Sequence, residues 1–238
     1  MNRDFLFGAH SVGEWLKSHP ERIESLVTVQ SPNDRVRKLI ARAQAHGIPV
    51  ERVSPEQLKK LARPKNPQGI GARVKPYAFA KLEQVLSTQP RVLLAIDGVT
   101  DPGNLGAIIR SASFFGVDAV LLPRDRSASI TPVVERAAAG AVANIPLCQV
   151  NSMVRSLTSL QASGFKLVGS IVGPHPAPHE LGLVPPVVVI VGSEGKGIRP
   201  SVRRICDIKT ALRTRGPQSL NVSAFTSVIL YEVGRQIN

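Results

Sequence analysis

"RVLLAID", residues 91–97, followed by "GVTDPGNLGAIIRSASFFG", residues 98–116, decides the fold. The first run is short, apolar and bounded by turn residues, the pattern of a buried strand. After the turn, Leu105, Ile108, Ile109 and Ala112 recur at i, i+3, i+4 and i+7. That spacing predicts a helix over 104–115, with Asn104 placed to cap it and Gly116 to end it. At about 100° per residue, Arg110 lies roughly 150° from the centre of the apolar stripe. One turn back stand Gly106 and Ala107, small enough for a ligand to approach. Periodicity by itself leaves an ordinary surface arginine open beside a ligand contact. What favours the contact is the loop's position at the carboxyl end of a strand, where open α/β sheets bind ligands.

The same alternation runs outward from this unit. Strands are expected at "VDAVLLP", "IPLCQV", "KLVGSIV" and "VVVIVG", and helices at "TPVVERAAAGA", "NSMVRSLTSLQASG" and "SLNVSAFTSVILYEVGRQ". Strands alternating with helices imply a mostly parallel sheet covered on both faces. Upstream the elements are shorter: helices "AHSVGEWLKSH", "NDRVRKLIARAQAHG" and "SPEQLKKLA", and strands "IESLVTVQ", "IPVERV" and "QGIGARV". Ser54 is placed as an N-cap before Pro55. The expected organisation is a small α/β domain over residues 1–76, a linker over 77–90, and a larger α/β domain over 91–238.

Charge narrows the partners. Over 238 residues, 30 Lys and Arg stand against 17 Asp and Glu, a net +13. Residues 1–76 hold 14 basic and 7 acidic side chains, so +7 falls on the smaller domain. A basic surface of this kind suits a polyanion. Aromatic residues make up 4%, too few for a platform that stacks single-stranded bases, so contacts to the nucleic-acid backbone should dominate. No apolar run reaches the roughly 18 residues of a membrane span. The opening "MNRDFLFGAHSVGEW" lacks a signal-peptide core, and a cytoplasmic protein is expected. Two distant cysteines, Cys148 and Cys206, imply neither a disulfide framework nor zinc. In "HPAPH" the prolines break any helix that would align His175 and His179 on a metal, and no metal site is expected.

Two further stretches draw attention. In "VVVIVGSEGKGIRPSV", residues 187–202, the glycines fit neither the dinucleotide fingerprint nor the Walker pattern, because Lys196 precedes Gly197 and no Ser or Thr follows it. A glycine-rich turn after a buried strand still permits close backbone approach to a ligand. In "GPQSLNVSAF", residues 216–225, Ser219 or Asn221 is placed to cap the last helix.

Taken together, "DGVTDPGNLGAIIRSASFFGVDAVLL", "VVIVGSEGKGI" and "SLNVSAFTSVILYE" resemble the three signature motifs of the SpoU (TrmH-like) family of RNA ribose 2′-O-methyltransferases, in the same order and with similar separation. "FGAHSVGEWL" and "PQGIGARVKP" resemble the substrate-binding domain of the bacterial members that methylate guanosine in 23S rRNA, and "PRDRSASITPVVERAAAGAV" continues the match. The resemblance implies a SPOUT-type α/β domain with a C-terminal trefoil knot, a homodimer, S-adenosylmethionine as methyl donor and ribosomal RNA as substrate. It places motif residues on Asn104, Arg110, Glu194, Ser219 and Asn221, and cofactor-loop contacts on Gly192, Leu212 and Leu220.

This chain departs from the family pattern at Leu212-Arg213-Thr214, where Ile-Pro-Met is usual, and at Pro67, where a His is common. The resemblance suggests Arg110 as the proton acceptor. Deprotonating an arginine at pH 7 costs on the order of 7–9 kcal/mol. A bidentate clamp on the phosphate beside the target ribose is therefore the alternative role. In either role Glu194 would orient the guanidinium, with Asn104 and Asn221 positioning loops or sugar. The rival functions are a non-catalytic RNA-binding or ribosome-assembly protein on a methyltransferase fold, and a tRNA ribose methyltransferase.

Overall fold

Two units carry the chain, Met1–Ala78 and Phe79–Asn238. The computed structural model describes residues 5–62, 67–75, 77–213 and 220–237. The first unit runs β1 (Phe5–Phe7), α1 (Ala9–Ser18), β2 (Ile23–Val29), α2 (Asp34–Ala45), β3 (Val50–Val53), α3 (Pro55–Ala62) and β4 (Ile70–Val74). Its sheet has the order β1-β4-β2-β3. β2 pairs parallel with β3, and β4 runs antiparallel to both β1 and β2.

Alternation along β2 divides the core. Leu26 joins Val12, Trp15, Leu16, Val36 and Ala43 of α1 and α2 on one face, whereas Val27 meets Leu58 of α3 on the other. Ser54 caps α3 as its sequence position suggests: its Oγ accepts from the Gln57 amide, and the Gln57 side chain accepts from the Ser54 amide. β1 has no counterpart in the sequence reading, because three residues are too few for a period of two to register.

The second unit runs α4 (Leu82–Leu86), β5 (Val92–Asp97), α5 (Pro102–Phe114), β6 (Ala119–Pro123), α6 (Pro132–Ala138), β7 (Leu147–Val150), α7 (Met153–Ala162), β8 (Lys166–Ser170), β9 (Val187–Gly192), α8 (Pro200–Arg204), β10 (Ile208–Thr210) and α9 (Val222–Ile237). Its six strands lie in the order β10-β8-β9-β5-β6-β7. Every pairing is parallel. All six residues of β9, "VVVIVG", are buried, as a strand covered on both faces requires. Each fully buried Val or Ile there contributes about 1.5–3 kcal/mol.

Leu93, Ala95, Val188 and Ile190 pack with Met153, Leu157 and Leu160 of α7 and Val202 of α8. On the opposite face α5 packs against α6 and α9. Residues 79–90 are integrated with this unit, since α4 buries Val85 in its core and Ala80 bridges to Cys148. α8 and β10 are too short for sequence periodicity to show them.

Candidate active site

β5 and β9 are neighbours, and their register pairs Asp97 with Gly192. The loops after these residues therefore leave the same edge of the sheet side by side. Strand connections diverge here, with β6 on one side of β5 and β9 on the other, which is where open α/β sheets bind ligands.

α5 begins two residues before the apolar stripe predicts. Asp101, not Asn104, is its cap: the Asp101 carboxylate accepts from the Asn104 amide at 2.7 Å, and Pro102 takes the first helical position. The correction has a physical reason. A carboxylate three residues upstream satisfies an orphan amide and favours the positive helix end, leaving the Asn104 side chain free for other work. Gly116, at φ +70°, follows the Phe115 C-cap and closes the helix as expected.

Glu194 rides on a tight turn after β9. The turn is closed by Ser193 N to Gly197 O at 3.1 Å and Gly197 N to Ser193 O at 2.8 Å. Gly195 and Gly197 hold φ of +78° and +63°, backbone that glycine adopts without penalty. Gly192 permits a close approach within the protein itself. A Cβ there would lie 2.0 Å from the Gly197 carbonyl carbon and 2.1 Å from the Ile198 nitrogen. The neighbour is the protein's own turn.

Asn221 completes the cluster. Its Oδ1 caps α9 by accepting from the Ser223 amide at 2.9 Å. Its Nδ2 donates to Glu194 Oε1 at 2.6 Å and to Asn104 Oδ1 at 3.0 Å. Asn104 Nδ2 donates in turn to Glu194 Oε2 at 3.1 Å. Residues from all three sequence stretches thus close a triangle around one carboxylate. α9 is held against α5 by the Ser111–Ser227 hydroxyl contact at 2.8 Å.

Arg110 is exposed on α5, on the face its spacing predicts. Among the described residues nothing bonds its guanidinium, so the expected Glu194–Arg110 bond is not made; Glu194 is taken by the two asparagines instead. Gly106 is also reassigned. A Cβ there would meet Ala137 Cβ and Val134 O at 2.5 Å, so the missing side chain admits α6 against α5 and leaves no ligand space.

Ser219 and Thr214 lie outside the described residues. Leu212 is half-buried two residues after β10, and Leu220, beside Asn221, is 52% exposed. Arg213, where the family pattern has proline, pairs with Glu180, whose carboxylate also accepts from the Ala177 amide at 2.7 Å.

Three contributors escape sequence reasoning. Asp101 is the cap. Asp97 is a buried carboxylate at the end of β5, and Arg199 is its partner. The available signals were an acid closing an apolar strand and an arginine leaving a glycine-rich turn. Among the described residues no group of three or more His, Cys, Asp or Glu is placed to hold a metal, and no helix is long and apolar enough to cross a membrane. Cys148 and Cys206 are free and buried, and burial pushes both thiols up to about 11.

An all-parallel, doubly covered sheet whose switch-point loops close through an Asn–Glu–Asn cluster defines an α/β protein with a candidate site at its strand ends. Residues 91–231 match the SpoU rRNA Methylase family, and residues 5–80 match the RNA 2′-O ribose methyltransferase substrate binding family. The chain belongs to the SpoU rRNA methylase family. It is 37% identical to a 23S rRNA (guanosine-2′-O-)-methyltransferase RlmB of Acinetobacter baylyi, over 98% of this chain and 97% of that one. To the protein of the same name from Shewanella oneidensis it is 38% identical, over 98% of each. Its fold is similar to that of the SpoU methyltransferase AviRb from Streptomyces viridochromogenes, solved in complex with AdoMet (TM-score 0.64, 21% identity, 98% of this chain and 89% of that one).

Proposed function

We propose that this protein transfers a methyl group from S-adenosylmethionine to the ribose 2′-oxygen of a guanosine in 23S rRNA. The observation that carries the reading is the junction of the three motif stretches at one carboxylate, Glu194, held by Asn104 and Asn221. The net charge of +13 supports an RNA substrate.

The residues present fit the cofactor. Ser170, Gly192 and Thr210 end β8, β9 and β10, a run of strands on one side of β5. Beyond them, the main-chain amides of Val172 and Leu212 donate to no described residue, and the Val172 and Leu220 side chains are 93% and 52% exposed. Free main-chain donors and apolar side chains are what a nucleoside needs. Gly192 serves this site by letting the Glu194 turn fold back, and Leu212 and Leu220 are the contact candidates. Bound there, S-adenosylmethionine supplies an electrophilic methyl group.

The chain's own residues must deliver the ribose hydroxyl in line and leave it open to solvent water, which takes its proton as the methyl group is transferred. Arg110, exposed and free of partners among the described residues, clamps the RNA phosphate beside that hydroxyl through its planar fork. The Asn104–Glu194–Asn221 triangle fixes the three loops around the sugar, and Ser219, outside the described residues, remains a candidate from the third motif alone. A homodimer in the cytoplasm completes the proposal. Its support is the apolar surface of α5 and α9, where Phe114 is 82%, Tyr231 59% and Val228 44% exposed.

Mapping ribose methylation on 23S rRNA from a strain lacking the gene, then complementing it, tests the reading. A missing 2′-O-methylguanosine restored by the wild-type gene is expected. An unchanged map, together with no binding of S-adenosylmethionine in calorimetric titration, overturns it in favour of a non-catalytic RNA binder.

A further inference from the structure

Asp97 is the last residue of β5 and is 1% exposed. A carboxylate buried this deeply at the end of an apolar strand needs a partner for each oxygen. Both partners belong to one residue. The Arg199 main-chain amide donates to Oδ2 at 2.9 Å, and Arg199 Nε donates to Oδ1 at 2.7 Å. Nη2 of the same guanidinium pairs with Oδ1 as well. These contacts span 102 positions of sequence.

Arg199 occupies the exit of the Glu194 turn. It follows Gly197 and Ile198, the residues against which Gly192 is packed, and it is the N-cap of α8. Asp97 precedes the loop that leads to Asp101 and Asn104. One buried carboxylate therefore ties the strand that launches Asn104 to the exit of the turn that carries Glu194.

We propose that the Asp97–Arg199 pair is a positioning device for the reaction, setting the height of the Glu194 turn so that its carboxylate meets Asn104 and Asn221 at once. The proposal rests on the methyltransferase reading for its catalytic consequence, and on the geometry alone for its structural one. Arginine is required because two nitrogens of its planar fork brace Oδ1 beside the main-chain amide on Oδ2. A lysine keeps the charge and the main-chain amide but replaces the fork with one compact ammonium, so the turn loses its lateral restraint. Neither residue contacts the reacting atoms; both act through Glu194.

The test uses the full-length protein. Arg199→Lys is expected to lower kcat for 23S rRNA methylation about tenfold with KM within about twofold, the signature of a misplaced catalytic array. Added to Glu194→Gln it should lower kcat by less than about twofold more, because both changes disable the same unit. A pair that merely stabilises the fold gives losses that multiply in the double variant, and that result overturns the proposal.

Hydrogen exchange provides a reading independent of activity. The Ser193 and Gly197 amides should exchange about tenfold faster in Arg199→Lys while those of β6 and α7 stay unchanged. Unchanged exchange at Ser193 and Gly197 overturns the proposal even if the wild-type protein methylates no RNA. A silent wild type with faster exchange overturns only the functional reading. If Arg199→Lys does not fold, Asp97→Asn, which keeps an acceptor for the Arg199 amide, is read by the same cycle and the same amides.

Discussion

Asn221 donates an amide hydrogen to Glu194 at 2.6 Å while its oxygen caps α9. One side chain thus starts the last helix and anchors it to the turn after β9. Substitution can separate the two duties. Asn221→Asp keeps the cap, since Oδ1 still accepts from Ser223, but removes both donors and sets a second carboxylate against Glu194. Methyl transfer should fall more than about tenfold while stability stays close to wild type. Asn221→Ala loses the cap as well, costing about 1 kcal/mol. Rate measurements beside urea melts of both variants check the pair; equal losses of stability would falsify the division of roles.

Arg110 has no partner to lose within the described protein, so its removal should leave the fold intact. Arg110→Ala is expected to abolish methyl transfer with Tm and S-adenosylmethionine affinity close to wild type. Arg110→Lys separates proton acceptor from clamp. Lysine, with a reference pKa of about 10.4, is the more readily deprotonated group, yet it lacks the bidentate fork. The clamp reading expects the lysine variant to be nearly inactive. Turnover close to wild type with a shifted pH profile would assign proton transfer instead.

Gly192→Ala places a methyl group about where the Gly197 carbonyl carbon sits, 2.0 Å from the ideal Cβ position. The turn must be displaced, and overpacking of this kind costs about 1–3 kcal/mol. Chemical denaturation should report that loss, together with reduced activity. A variant that loses cofactor affinity at full stability would show that the clash is not with the turn.

The first unit owns a separate core around Trp15, Leu16 and Leu26, and 14 of the chain's basic residues fall within positions 1–76. Residues 79–238 by themselves should fold, bind S-adenosylmethionine and bind rRNA fragments more weakly. The slope of log affinity against log salt should also be shallower than for the whole chain. Equal affinities and equal slopes would move RNA recognition to the second unit.

Both thiols carry a stability signature in alkaline solution. Burial raises Cys148 and Cys206 to about 11, whereas an unfolded thiol titrates near 8.5. Between those values the unfolded chain has released protons that the folded chain retains, so stability falls as pH rises through that window. The loss is on the order of 3 kcal/mol per thiol by pH 11. Cys148→Ser and Cys206→Ser should flatten the decline in melts between about pH 8 and 10.5, and neither native thiol should react with a soluble disulfide reagent at pH 8.

Much of the fold was readable because each signal is local. The i, i+3, i+4, i+7 stripe of Leu105 to Ala112 names a helix wherever it packs, and the unbroken apolar run of β9 names a strand buried on both faces. Helix ends were less readable: the Asp101 cap and the Asn104 position both look like N-caps, and a choice between them depends on backbone conformation at Pro102. Elements of three to five residues, β1, α8 and β10, fall below the length at which a period can be counted.

The candidate site divides along the same line. Sequence by itself singled out the candidate residues, because motif spacing places Asn104 and Asn221 at helix starts, Glu194 just past a strand and Arg110 on the polar face of a helix whatever their neighbours are. Only the tertiary structure decided who meets whom. The Asn104–Glu194 bond spans 90 positions and the Asn221–Asn104 bond 117; both depend on β9 pairing with β5 at the Asp97–Gly192 register. Strand order and register arise from the packing of whole layers, and no local period encodes them. For that reason Gly106 and Gly192, small residues open to a ligand when viewed along the chain, prove to be the places where α6 and the Glu194 turn press against their own protein.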